Sequence, residues 1–349
     1  MDSTHRISSF RQDAHTTVRS DHMLDVLTIG DLMIDFTSLG TNEAGKLVFE
    51  RNPGGAPANV ASQVARLGGS SGFIGSVGQD EHGLYLIETM KKLGIDVSCL
   101  RISDKEATRI TFVYLNQGND RYFSNYQSPR ADRDLPEDER YYRQADNCRI
   151  LHFASTSQFG EPIAATSSKL MAYARKQNKL ISYDPNWNEV CGYDEGQKKI
   201  MTDTFKKVDI LKISREEYSY FIGDMDIREG AAQIISQGVR LLAITMGAGG
   251  CYYRTREFEG YQPSYQVAVR DTTGSGDSFM GALLYQIAGK EKAIEDLKQQ
   301  ELDDIIRFSN ACGSTCATKT GSLTVMPGLP EVTWTMGHTG LYQMDIQCI

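Results

Sequence analysis

The clearest chemical pattern is the run Asp271-Thr272-Thr273-Gly274-Ser275-Gly276-Asp277, which an apolar helical pattern follows directly. Small residues allow a tight bend, which would direct several backbone N–H groups and the helix dipole at one point where an anion can bind. Asp277 would lie beside that anion, where a carboxylate can accept a proton from an attacking hydroxyl. Helix capping alone explains an isolated aspartate at this position. The threonines and the second aspartate favour catalysis.

Two other glycine-containing segments could contact a ligand. In Asn52-Pro53-Gly54-Gly55-Ala56-Pro57-Ala58-Asn59, the glycines allow close approach to the backbone and Asn59 supplies an amide, although a turn before a helix explains the pattern as well. Asp35 follows the first predicted strand, at the strand end where open α/β sheets bind ligands. The run Thr245-Met246-Gly247-Ala248-Gly249-Gly250 suits either a nucleotide against the backbone or a tight hairpin.

The elements that would position these residues alternate along the chain. Apolar runs predict strands at 24–29, 71–77, 149–154, 179–183, 208–213 and 240–245. Helical spacing predicts helices at 56–67, 82–93, 161–177, 197–206, 227–237, 277–288 and 302–318. The alternation predicts an α/β fold with a mostly parallel central sheet and helices on both faces. Hairpin-like segments near 36–50 and 98–126 interrupt it and are expected to form a small β-sheet lid.

Composition and charge narrow the function classes. The 349 residues are enough for one large α/β domain, and the net charge of −8 argues against a nucleic-acid partner. No run approaches the roughly 20 apolar residues of a membrane span, so no membrane partner is expected. Seven scattered cysteines suit a reducing, cytoplasmic location. Residues 1–22 are predicted to be a flexible extension without a signal peptide, and 331–349 a C-terminal tail.

Two segments together resemble the ribokinase-like (PfkB) family of carbohydrate kinases. These are GGAPANVASQVARLGG at 54–69 and DTTGSGDSFMGALL at 271–284, within a match over roughly 24–330. The resemblance implies a ribokinase-like three-layer sandwich, with a kinase domain at 23–330, and ATP-dependent phosphorylation of a sugar hydroxyl. It also implies Mg²⁺, a monovalent cation that is usually K⁺, and a homodimer formed through the lid. Neither a GxxxxGK[ST] loop nor a GxGxxG after a strand occurs, so ATP would bind through another architecture.

The resemblance also assigns roles to individual residues. Asp277 would be the catalytic base, and the backbone of Gly274, Ser275 and Gly276 would form the anion hole. The sugar would contact Asp35, Gly54, Gly55, Asn59 and Arg109, and the nucleotide Lys212, Thr245, Gly247, Gly250 and Asn310. Glu217 would organise Mg²⁺ through water, with Ser214 in place of the family's usual asparagine three residues before it. Asp271, Thr273 and Gly321 would hold the monovalent cation.

The resemblance favours fructose as the expected sugar, because three segments look most similar to fructokinases: GDLMIDF at 30–36, FERNPGGAPANVA at 49–61 and SPRADRDL at 128–135. One departure is Asn188, which replaces the arginine that usually ends a DPNxR motif. Loss of a fixed cation should weaken recognition of an acidic sugar, which favours fructose over 2-keto-3-deoxygluconate. Ribose and other neutral sugars remain alternatives. A nucleoside kinase is less favoured, because the GGAPAN segment is polar where a base would need apolar contacts.

Overall fold

Thirteen strands and ten α-helices occur in the part of the chain that the computed structural model describes, residues 23–115, 121–123, 128–187, 192–290 and 292–342. The strands are β1 Leu24–Ile29, β2 Met33–Thr41, β3 Leu47–Gly54, β4 Ser71–Gly78, β5 Leu100–Ser103, β6 Ile110–Leu115, β7 Arg121–Phe123, β8 Cys148–Ala154, β9 Leu180–Asp184, β10 Ile210–Ser214, β11 Leu241–Thr245, β12 Cys251–Arg254 and β13 Glu259–Gln262. The helices are α1 Ala56–Arg66, α2 Glu81–Lys92, α3 Glu139–Asp146, α4 Ile163–Lys176, α5 Glu195–Phe205, α6 Arg215–Ile222, α7 Ile227–Ser236, α8 Ser275–Ala288, α9 Gln299–Cys316 and α10 Leu329–His338. The predicted flexible extension at 1–22 and the substituted position Asn188 lie outside the described residues.

Nine strands form the main sheet in the order β13-β12-β11-β10-β9-β8-β1-β4-β5. All neighbours from β11 to β5 are parallel, and β12 and β13 add an antiparallel hairpin at one edge. The predicted mostly parallel sheet is therefore confirmed. Because parallel strands end at the same edge, the segments after β1, β9, β10 and β11 are brought to one side of the molecule.

Helices cover both faces of this sheet. Successive side chains of a strand point to opposite faces, so Ile150 belongs to the core on one face, which includes residues of α1, α8 and α9. Its neighbour Leu151 belongs to the core on the other face, which includes residues of α3, α4 and α7. The predicted three layers are therefore present. No helix among the described residues is long and apolar enough to cross a membrane.

A smaller sheet lies outside these layers, with strand order β3-β2-β6-β7. β2 pairs with β3 in antiparallel and with β6 in parallel orientation. On one of its faces Phe112 stacks on Phe36 and meets Phe49 edge to face, with ring centroids 5.5 and 5.4 Å apart. The predicted lid segment near 36–50 contributes to this sheet. The segment near 98–126, also predicted to form the lid, contributes to both sheets. Its strand β5 pairs with β4 in the main sheet, and only β6 and β7 join the lid.

Candidate active site

The N-terminus of α8 forms a turn with amides that the helix does not use. Gly274 has a φ of 77°, a left-handed conformation that glycine adopts without strain. Ser275 N–H donates to Thr272 O at 3.1 Å, and the first intrahelical bond runs from Ser278 N–H to Gly274 O at 2.7 Å. The N–H groups of Gly276 and Asp277 therefore belong to the helix start, where amides have no intrahelical acceptor. These two amides are available to an anion, whereas that of Ser275 already has an acceptor.

Close packing of α1 against α8 fixes Asp277. Asn59 Nδ2 donates to Asp277 Oδ2 at 2.8 Å, and Ser278 Oγ donates at 2.7 Å to Oε1 of Gln63, which lies one turn after Asn59 on α1. A Cβ on Gly281 would lie 2.6 Å from the Cβ of Gln63, so only glycine permits this approach. The helices that carry the two sequence motifs, α1 and α8, therefore contact each other through residues of those motifs.

Burial makes Asp277 unusually easy to protonate. Its side chain is 8% exposed, and burial, which disfavours the charged carboxylate, raises its pKa to about 7. The negative charges of Asp184 and Asp31 act in the same direction, while the hydrogen bond from Asn59 and the charge of Lys212 oppose them. A carboxylate that titrates near neutral pH is suited to take a proton from a substrate.

A buried lysine lies beside this turn. Lys212 Nζ is 2.9 Å from Asp184 Oδ2, and a Cβ on Gly276 would lie 3.1 Å from the same nitrogen. Burial alone would lower the pKa of Lys212, but Asp184, Glu217 and Asp277 together raise it, so the ammonium remains charged. The sequence places Lys212 with the nucleotide; in the structure it faces the turn at the start of α8.

Glu217 lies on the other side of Lys212. Its two carboxylate oxygens accept the backbone N–H groups of Trp187 and Ser214, both at 2.6 Å, so it also caps α6. Burial raises the pKa of Glu217 to about 7. No cluster of three or more potential metal ligands occurs among the described residues.

The chain segments after β1 and β3 are in close backbone contact. A Cβ on Gly55, which has a φ of 118°, would lie 2.2 Å from the carbonyl oxygen of Asp31. A Cβ on Gly54 would lie 2.6 Å from Asp35 Oδ2. The two glycines therefore allow Asp31 and Asp35 to lie against the start of α1, next to Asn59. Asn59 Oδ1 is buried and has no hydrogen-bond partner among the described residues.

Arg109 is held at this end of the site by two carboxylates. Its Nη1 is 3.3 Å from Asp132 Oδ2 and 3.6 Å from Asp31 Oδ2. Burial opposes the charge of Arg109, but these acids and Asp35 raise its pKa overall. Arg109 therefore lies with Asp31 and Asp35.

The three residues expected to hold a monovalent cation are brought together by Asp271. Its carboxylate accepts the N–H of Thr273 and the N–H of Gly321, each at 2.9 Å. Gly321 has a φ of 106°, and Asp271 is 6% exposed. The loop before α8 is thus joined to the segment after α9, while Glu217 lies apart with Lys212.

Four of the five residues expected at the nucleotide gather around β11, β12 and β13. Gly247 and Gly250 form the turn after Thr245, and Gly250 N–H donates to Gly247 O at 3.0 Å. A Cβ on Gly250 would lie 2.2 Å from Gln262 O, the same carbonyl that accepts from Asn310 Nδ2 at 2.8 Å. The amide nitrogen of Asn310 therefore holds the end of β13.

Comparison with known proteins connects this geometry to a family. The model of the pfkB family of carbohydrate kinases matches residues 23–328, which include every site residue discussed above. The chain belongs to this family. It is therefore a carbohydrate kinase with a ribokinase-like fold.

Individual pfkB relatives support the assignment over almost the whole chain. The chain is 35% identical over 317 residues to a probable fructokinase-2 of Arabidopsis thaliana, covering 89% of this chain and 95% of the relative. It is also 35% identical to fructokinase-1 of Oryza sativa subsp. japonica, covering 88% and 96%. Among solved structures, the fructokinase of Xylella fastidiosa with bound ATP is 26% identical and covers 90% and 98% at a TM-score of 0.79. A fructokinase double mutant of Vibrio cholerae O395 with fructose, ADP and potassium is also 26% identical, covering 91% and 99% at 0.77.

Three buried aspartates of the pfkB site carry no role in the sequence analysis. The sequence places Asp35 at the end of the first strand, but in the structure Asp35 lies within β2 and Asp31 is the aspartate that follows β1, by two residues. Asp184 begins the segment compared with the DPNxR motif, and Asp132 lies in the SPRADRDL segment at 128–135. Neither pattern indicates which side chain the aspartate pairs with. Their pairing with Lys212 and Arg109 depends on contacts between residues at least 23 positions apart, which local patterns do not contain.

Proposed function

We propose that this carbohydrate kinase transfers the γ-phosphoryl group of ATP to a hydroxyl of fructose. The observation that carries the proposal is the buried carboxylate of Asp277, held by Asn59 beside the free amides of α8 and the charge of Lys212. Phosphoryl transfer needs positioning and charge neutralisation more than covalent chemistry, and this arrangement offers both. The fructokinase relatives at 35% identity support fructose as the acceptor.

In the proposed step, the sugar hydroxyl oxygen attacks the γ-phosphorus in line with the bond to ADP. The new O–P bond forms as the bond to the β-phosphate oxygen breaks, and the hydroxyl proton passes to Asp277. The amides of Gly276 and Asp277 and the ammonium of Lys212 stabilise the negative charge on the transferred group. Gly274 and Ser275 shape the turn that presents these amides.

The sugar would bind between β1, β3 and α1. Asp35 would accept hydrogen bonds from sugar hydroxyls, and Gly54 and Gly55 would let Asp35 and Asp31 lie close to the backbone at this end of the site. Asn59 Nδ2 holds Asp277, so its buried Oδ1 is the atom that would accept from a hydroxyl. Arg109 would donate from the guanidinium nitrogens that do not contact Asp132.

The nucleotide would lie along the turn formed by Thr245, Gly247 and Gly250, next to α9. Gly313 of α9 packs on the backbone of Ser275, where a Cβ would lie 3.1 Å from Ser275 O. Asn310, one turn earlier, holds Gln262. The nucleotide turn and the anion-binding turn are therefore joined through α9, which fits a phosphate chain that runs from one to the other.

The described residues fit the two metal ions that the family implies. Mg²⁺ would neutralise phosphate charge, with Glu217 as the nearby carboxylate acting through water. K⁺ would be held by oxygens of the loop containing Asp271, Thr273 and Gly321, which the Asp271 carboxylate fixes. A cytoplasmic location fits the five described cysteines, which are all free thiols. The homodimer through the lid stays a prediction.

A coupled ADP-release assay with Mg²⁺, K⁺ and ATP tests the proposal over fructose, ribose, 2-keto-3-deoxygluconate, tagatose, inositol and adenosine. We expect kcat/KM for fructose to exceed that for each other acceptor by at least about tenfold, the difference that one well-placed hydrogen bond can produce. Preferred turnover of another sugar would keep the mechanism and contradict the substrate. Preferred turnover of adenosine would contradict both.

Replacing K⁺ by Na⁺ or tetramethylammonium in the same assay tests the cation. We expect fructose turnover to be highest with K⁺ and to fall with tetramethylammonium, which is too large for the loop. Equal rates with all three salts at constant ionic strength would contradict the cation proposal.

A further inference from the structure

A compact group of opposite charges surrounds Arg109 at the sugar end of the site. It consists of three arginines and three aspartates: Arg109, Arg130, Arg133, Asp31, Asp35 and Asp132. The formal charges of these six side chains cancel. The group therefore contains guanidinium donors but no excess positive charge.

Asp132 lies at the centre of this group. It is 2% exposed, and its Oδ1 accepts from Arg130 Nε at 3.0 Å. Its Oδ2 accepts from Arg130 Nη2 at 2.9 Å and from Arg109 Nη1 at 3.3 Å. One buried carboxylate thus fixes two arginines that come from different parts of the chain.

Asp31 approaches Arg109 from a second direction. Its Oδ2 is 3.6 Å from the same Nη1, and its Oδ1 accepts the hydroxyl of Thr156 at 2.6 Å. Because both acids contact Nη1, they orient the guanidinium and neutralise its charge without using its other nitrogens. Arg133 makes no ion pair among the described residues. Burial and the charges of Arg130 and Arg109 lower its pKa, while the charge of Asp132 opposes them.

We propose that Asp132 and Asp31 make the site select neutral sugars over sugars that carry a carboxylate. The inference rests on the proposed phosphorylation of a sugar at this site. A sugar hydroxyl needs only the remaining N–H donors of Arg109. A substrate carboxylate must lose its hydration, and a free arginine would compensate for that with a strong bidentate pair. Here Asp132 and Asp31 already neutralise Arg109, so nothing compensates an acidic sugar for the hydration that its carboxylate loses on binding.

The positioning role of Asp132 can be tested by removing its charge while keeping its shape. In Asp132→Asn, three arginines face two aspartates, so the group gains a net positive charge. We expect kcat/KM for 2-keto-3-deoxygluconate relative to fructose to rise by at least about tenfold over wild type, as charge pairs of this kind commonly do. Most of the change should appear in KM, since the charge acts on binding.

Asp134→Asn is the matched control. Asp134 is a buried neighbour on the same segment, but it pairs with Ser103 and Arg101 instead of Arg109. Its substitution should leave kcat/KM for 2-keto-3-deoxygluconate relative to fructose within about twofold of wild type. Thermal melts establish which variants fold; if Asp132→Asn does not, Asp31→Asn replaces it, with the same expected direction.

The outcomes separate the inference from the proposed function. A ratio that rises in Asp132→Asn or Asp31→Asn and not in Asp134→Asn supports selection by charge. An unchanged ratio, or an equal change in the control, overturns it while wild-type turnover of fructose leaves the proposed function intact. A wild-type enzyme that uses no neutral sugar contradicts the proposed function and this inference together.

Discussion

Asp277→Asn should lower kcat by at least about a hundredfold, the usual contribution of a general base. The amide cannot take the hydroxyl proton, but it keeps the shape and a partner for Asn59. ATP binding should remain within a few-fold of wild type, because the amides of the α8 turn are unchanged. Steady-state turnover and calorimetric titration with ATP measure the two quantities. Near-normal turnover would exclude Asp277 as the base.

The same substitution should stabilise the fold at alkaline pH. The pKa of Asp277 is about 7 in the folded chain, above its ordinary value of 3.8, so the ionised form destabilises the folded state. The gain in melting temperature should therefore be largest above pH 7 and should disappear as the pH falls toward 4. Improved stability with lost activity is the expected signature of a functional carboxylate.

Asp226→Asn is the control that separates catalysis from helix capping. Asp226 caps α7 by accepting the N–H groups of Arg228 and Glu229. Asparagine caps a helix about as well as aspartate, so this variant should retain wild-type activity and stability. If Asp277 were only a cap, Asp277→Asn would behave in the same way.

Lys212→Met should destabilise the protein by about 3–5 kcal/mol, the range seen when one member of a buried ion pair is removed. Asp184 and Glu217 would then be left in the interior without the ammonium that compensates them. Turnover should also fall sharply, since the positive charge beside Gly276 is lost. Urea unfolding at pH 8 measures the stability change.

Two further variants serve as controls for the stability of Lys212→Met. Lys199→Met makes the same substitution in an exposed ion pair, that of Lys199 with Asp203. The free energy of unfolding should change there by less than about 1 kcal/mol. Adding Asp184→Asn to Lys212→Met should recover part of the lost stability, because the unpaired charge is removed. A Lys212→Met variant as stable as Lys199→Met would show that the buried pair is not required for the fold.

The sequence predicted both motif helices and six parallel strands of the main sheet, because these depend on local patterns, whereas β5 was expected in the lid and β12 and β13 were not predicted. Strands such as β8 and β11 are short apolar runs, and α1 and α8 carry their apolar residues at helical spacing beside glycines that need special backbone angles. β3 was missed at its end, since Pro53 and Gly54 usually indicate a turn. Proline is tolerated there because β3 is an edge strand of the lid.

The helix α10 and the buried charge pairs could not be predicted from local patterns. The sequence of α10 contains Thr333, Thr335 and Gly337, which are weak helix formers. Tertiary contacts stabilise it instead, including the hydrogen bond from Thr315 Oγ1 to Thr335 Oγ1 at 2.8 Å. The pairing of Lys212 with Asp184, and of Arg109 with Asp132, likewise depends on how the strands are ordered in space.

The pH dependence of kcat/KM for the sugar tests the role of Asp277 most directly. With MgATP saturating, we expect kcat/KM to be constant at alkaline pH and to fall about tenfold per unit below a midpoint near 7, where Asp277 becomes protonated. Glu217 also titrates near 7, so the residual activity of Asp277→Asn is measured in parallel and should lose this midpoint. A flat wild-type profile between pH 5.5 and 8.5, or the same midpoint in both enzymes, would contradict Asp277 as the proton acceptor.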